Sequence, residues 1–133
     1  MKIAALIARV LLGLIFFIFG LHFFVHFSFI PSKGPAMSAA ATAFQMGLFG
    51  SGYFMQFLKG IEVICGLFIL INRFTAFFLL VLLPISVNIF LFHTILAPAG
   101  MPMGVAILLI HLFLGYAYRK YYVSLFTAIP TAD

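Results

Sequence analysis

The sequence predicts an all-α fold, a transmembrane four-helix bundle with a short interfacial helix in its first outer loop. Three observations carry that prediction. Of the 133 residues, 66% are hydrophobic and only 7% charged, against about 45–50% and about 25% in soluble domains. Four apolar stretches approach the ~20 residues that a helix needs to cross ~30 Å of hydrocarbon. Basic residues gather beside one set of stretch ends. The length suits a single integral membrane domain, residues 1–133.

The first span, residues 3–30, starts after Lys2 and is stopped by Pro31. It is too long to stand perpendicular to the bilayer, so it is expected to tilt or project. Its length, its internal Arg9 and the lack of a small-residue cleavage site separate it from a signal peptide, and it is expected to be retained. The outer loop, 31–51, opens with Pro31, Lys33, Gly34 and Pro35 and then becomes helix-permissive from Ala36 to Phe49. A short helix in the outer interface, burying Phe44, Met46, Leu48 and Phe49, would lid the bundle; a solvated linker is the alternative. The second and third spans, 52–71 and 74–96, are separated by little more than Asn72 and Arg73. Residues 97–102 connect the third to the fourth, 103–122, so each pair is expected to be antiparallel neighbours. Pro84 should kink the third span by freeing the Leu80 carbonyl. Tyr118, Tyr121 and Tyr122 beside Arg119 and Lys120 mark a membrane interface. Lys2, Arg9, Arg73, Arg119 and Lys120 fall on the side of both termini and only Lys33 on the other, which makes the termini cytoplasmic.

Composition also excludes functions. A net charge of +5 carried by bases scattered singly among apolar runs is no nucleic-acid surface. One cysteine, Cys65, cannot close a disulfide within the chain, which removes a relay of electrons through Cys pairs.

A charge near a helix centre costs at least ~2.5–3.5 kcal/mol on insertion scales, so intramembrane ionisable residues need partners. Arg9, Lys59, Glu62, Asn88 and His111 are the expected buried polar network; His22, His26 and His93 are a candidate ligand or proton site. Counting the rise from the outer ends places all but Arg9 in a layer within roughly 15 Å of that side. Lys59 and Glu62, at i and i+3, share a face with Gln56 and Gly66 and can pair. Arg9, Gly13, Phe16 and Gly20 share another, whose glycines allow close helix approach, so that Glu62 could be neutralised by Lys59, Arg9 or both. The same charges could instead merely fix helix register. His22 and His26, at i and i+4, can present two imidazoles to one metal or haem. They point away from the Arg9 face and no carboxylate or cysteine joins them, so no metal site is expected; interfacial structural histidines or a proton or quinone site are the other readings. Asn88 shares the face of Pro84, as part of a pocket wall or of a packing kink.

The residues resemble the DoxX family of small bacterial four-helix membrane proteins over nearly the whole chain. The resemblance rests on ARVLLGLIFFIFGL with Arg9, Gly13 and Gly20, on GYFMQFLKGIEVICGLFILINRF with Gly52, Tyr53, Glu62, Gly66 and Asn72, and on LLPISVNIFLFHT with Pro84, Asn88 and His93. It implies a bacterial inner-membrane bundle with Arg9 and Glu62 as shared positions. The name-giving members are small subunits of a thiosulfate:quinone oxidoreductase, and others are linked to oxidative-stress complexes. The expected function is therefore a small non-catalytic subunit of a quinone-linked redox assembly, with other membrane subunits and the lipid bilayer as partners and Glu62, Lys59 and a histidine governing quinone protonation. No flavin or nucleotide motif or cysteine ligand set is present, so the chain is not expected to be an enzyme alone. The alternatives are a structural or assembly subunit without redox chemistry, and a path for protons or a small solute, which four helices would enclose only by oligomerising.

Overall fold

The computed structural model describes residues 1–31, 33–34 and 36–133. These are 78% helical, without strands. Five α-helices follow in order: α1 (Lys2–Val25), α2 (Ala39–Gly50), α3 (Phe54–Leu70), α4 (Thr75–Leu91), continued by a π-helical turn (Phe92–Leu96), and α5 (Met101–Ala117). Short 3-10 turns close the chain after α5. Among the described residues, three helical stretches are long and apolar enough to cross a membrane: Lys2–Val25, Thr75–Leu96 and Pro98–Ala117. The α2–α3 pair qualifies as a fourth only when taken together, and it is bent by 90°.

The core explains how these helices sit. α1 packs on α3, α3 on α4, α4 on α5 and α5 back on α1. Leu12, Ile69, Leu79, Leu82 and Leu114 meet at the centre and are fully buried. The opposite faces stay apolar: Ile3 is 74% exposed, Phe77 60% and Leu109 61%. A helix apolar on all sides has a nonpolar solvent on its outer face. α1 and α3 run antiparallel, because Arg9 of α1 lies at the C-terminus of α3 and Gly20 lies beside Glu62 and Val63.

The helix ends differ from the spans read in the sequence for local reasons. α1 stops at Val25 rather than running to Ile30, because His26 turns left-handed at φ 60° and its N–H bonds the His22 carbonyl at 2.9 Å. The His22 ring completes that cap: its Nδ1 accepts from the Phe27 amide at 2.9 Å. α3 begins at Phe54 because Gly52 is left-handed and the Ser51 hydroxyl accepts the Phe54 N–H. The tight α3–α4 turn places both Asn72 and Phe74 at positive φ and is tied by the Thr75 hydroxyl donating to Asn72 at 2.7 Å.

The segment between α1 and α3 contains a helix, α2, rather than only a linker. Ser38 caps it, accepting the Ala41 amide, and the same hydroxyl donates to the Leu96 carbonyl at 2.7 Å. Phe44 meets Phe92, and Phe49 meets Phe23, with ring centroids 5.7 and 6.2 Å apart. These contacts hold α2 across one end of the molecule.

Candidate functional site

Gly13, Gly20 and Gly66 bring α1 and α3 together. A Cβ on Gly66 would lie 2.5 Å from the Phe17 nitrogen and 2.9 Å from the Gly13 oxygen, and one on Gly13 would lie 2.8 Å from the Leu70 nitrogen. The two backbones are thus in contact, which no larger residue permits. That approach delivers the Arg9 guanidinium to the end of α3. Its Nη1 donates to the Ile69 carbonyl at 2.8 Å and to the Leu70 carbonyl at 2.7 Å. The last carbonyls of a helix have no intrahelical donor and carry its negative pole, so a buried cation there is doubly favoured.

Glu62 therefore has a different partner. Lying 3% exposed on α3, it accepts from the Lys59 ammonium at 3.0 Å, the i, i+3 pair of that helix face. Gln56, one turn earlier, is exposed and does not continue the stripe inward. The Lys59 side chain keeps 23% of its surface.

The pair opens onto a cleft-like cavity of about 260 Å³ bordered by α1, α3, α4, α5 and α2. Its polar lining comprises Lys59, Glu62, Asn88, His93 and Gln45; Phe16, Phe19, Phe44 and Phe92 are prominent in its apolar wall. Asn88 sits exposed at the rim. His93 lies in the π-helical turn, where Ala97 N–H bonds the Phe92 carbonyl at 2.9 Å. Such widened turns re-aim side chains and recur at functional sites. The His93 ring packs against Gly100, where a Cβ would collide with it, and against Gly104. Its Nδ1 is buried without a hydrogen-bond partner among the described residues. That nitrogen lies against Gly100, which is not part of the cavity lining, and an unmatched buried nitrogen is an unusual arrangement that calls for a reason.

The remaining sequence-predicted residues lie elsewhere. His111, buried on α5, bonds across to α4: its Nε2–H donates to the Leu79 carbonyl at 2.8 Å, which leaves Nδ1 to accept from the Ser86 hydroxyl at 2.7 Å. Both contacts flank Pro84, which lies inside the continuous helix α4, so His111 fastens α5 to the proline-containing segment, away from the cavity lining. His22 and His26 lie at the end of α1 with ring centroids 5.8 Å apart. The His22 Nδ1 is engaged by Phe27, and no group of three His, Cys, Asp or Glu side chains able to hold a metal occurs among the described residues. The structure thus gathers Lys59, Glu62, Asn88 and His93 and leaves Arg9, His111 and the His22–His26 pair at separate places.

Sequence reasoning missed Gln45, Ser86, Gly100 and Gly104. Gln45 belongs to the α2 lid, whose docking depends on contacts distant in sequence. The glycines had a detectable signal, since Gly100 and Gly104 at i, i+4 leave room without side chains just after the span that carries His93. No family model matches the chain, and neither does any curated protein or solved structure.

Proposed function

We propose that this chain is a DoxX-like transmembrane four-helix bundle of the bacterial inner membrane, with both termini cytoplasmic, and that it serves as a small non-catalytic subunit of a quinone-linked redox assembly. The observation that carries the reading is the cavity, in which a Lys59–Glu62 ion pair, Asn88 and His93 face aromatic and aliphatic walls. Binding sites for small molecules combine a mostly apolar lining with a few convergent polar groups. At about 260 Å³ the cavity suits a ring-sized head rather than a whole isoprenoid quinone. Quinone reduction takes up a proton with each electron, and Lys59, Glu62 and His93 are the ionisable groups at hand to bind or pass protons. Electrons would come from another subunit.

The test is extraction and substitution together. Protein purified gently from native membranes is expected to yield a quinone into organic solvent. Glu62→Gln is expected to lower the host complex's quinone-dependent activity at unchanged assembly. No quinone in any preparation, with Glu62→Gln losing the folded protein, would overturn the reading. It would favour a purely structural subunit, which Arg9 and His111 support, since their hydrogen bonds go to neighbouring helices.

A further inference from the structure

At the opposite end from the cavity, a groove runs between α4, α5 and the turns that follow α5. Its outer part, about 690 Å³, is bordered by Asn72, Phe74, Tyr118, Tyr121 and Ser124. Its inner part, about 400 Å³, is bordered by Leu79, Leu83, Leu112, Gly115 and Phe126, with His111 at its deep end. The two parts adjoin, with Leu80, Tyr122 and Leu125 lining both.

Three features make this a formed groove. The Tyr122 hydroxyl donates to the Ala76 carbonyl at 2.8 Å, which ties the chain after α5 over α4. A Cβ on Gly115 would meet nothing within 4 Å, so the floor is open where a side chain would otherwise fill it. Leu125 and Phe126 are 62% and 81% exposed along its edge. From Phe74 to Leu83 the groove rises roughly 14 Å along α4, close to the ~15 Å half-thickness that one lipid leaflet contributes to the hydrocarbon core.

Basic residues cluster around the mouth. Arg73 lies between the lining residues Asn72 and Phe74; the Lys120 ammonium lies 5.1 Å from the centroid of the lining Tyr121 ring; the Arg119 guanidinium lies 4.1 Å over Tyr116. The sequence's two acids are Glu62, in the cavity at the other end, and Asp133 at the chain end. We infer that the groove is a binding site for an anionic phospholipid, with one acyl chain lying along the inner part and the phosphate headgroup among Arg73, Arg119 and Lys120. Tyr118, Tyr121 and Ser124 border the intermediate glycerol region. The site is independent of the quinone reading; it needs only that these helices stand in a bilayer.

The experiment is lipid competition in phosphatidylcholine bilayers, reading the fraction of a trace spin-labelled lipid immobilised by the protein. Each basic side chain near a headgroup contributes about fivefold, so labelled phosphatidylglycerol is expected to associate at least roughly tenfold more strongly than labelled phosphatidylcholine. Gln at all three of Arg73, Arg119 and Lys120 is expected to abolish the preference. Gly115→Leu, which fills the floor without changing charge, is expected to cut it severalfold. Equal association of the two lipids with the unaltered protein would overturn the proposal. So would a preference that survives Gly115→Leu undiminished, because that is general surface attraction without a groove.

Discussion

Arg9 lies in an apolar helix where a charge costs at least ~2.5–3.5 kcal/mol, and two hydrogen bonds from its guanidinium, each worth about 1.5–3 kcal/mol for a charged donor, offset that cost. Removing the side chain leaves the Leu70 carbonyl short of its donor, while Ile69 keeps the Asn72 amide at 3.2 Å. Arg9→Met is therefore expected to destabilise the protein by about 2 kcal/mol, measured as the shift of its unfolding midpoint in SDS titration. Glu62 lies about 10 Å away along α3 from the carbonyls that Arg9 binds. The effects of Arg9→Met and Glu62→Gln should then add to within ~0.5 kcal/mol. A larger coupling would mean that the two charges act as one network after all.

The C-terminus of α1 shows how a helix end can hide from sequence. Left-handed residues at helix ends are usually glycine, and His26 does this job with the penalty of a Cβ. His22 then supplies an acceptor to the Phe27 amide. His22→Ala removes about 1 kcal/mol of local stability, so Phe27 amide exchange should quicken about fivefold with the amides of α3 unaffected; no change in exchange would show the ring to be incidental. Other ends are legible because their signals are chemical: Asn72 and Arg73 interrupt one apolar run, and Pro98 with Gly100 interrupts another. The Lys59–Glu62 contact is legible too, since i, i+3 spacing needs only helix geometry. The Arg9 and His111 partners are not, because most of them are backbone carbonyls, which carry no side-chain identity to read. The cavity is half legible: Lys59, Glu62, Asn88 and His93 are conspicuous in apolar runs, whereas the lid residue Gln45 depends on how α2 folds back.

Taken as one object, the molecule is polarised along its long axis. Lys2, Arg73, Arg119 and Lys120 sit at the end formed by the start of α1, the α3–α4 turn and the turns after α5, while Lys33 belongs to the segment at the α2 end. The cavity occupies the α2 end and the basic groove the other. Basic residues favour the anionic cytoplasmic leaflet by about 1 kcal/mol each, so an excess of three biases the orientation by about 3 kcal/mol, more than a hundredfold. On that bias each end has an expected reactivity. Cys65 is 1% exposed, so the unaltered chain is its own unlabelled control. With a membrane-impermeant maleimide on intact cells, Lys33→Cys is expected to label, and Arg119→Cys only after the membrane is opened. The reverse pattern would put the cavity on the cytoplasmic side, where protons for its ionisable groups would come from the cell interior rather than from outside. Labelling of both positions in intact cells would mean that the helices do not hold one orientation, and the charge asymmetry would then lose its meaning.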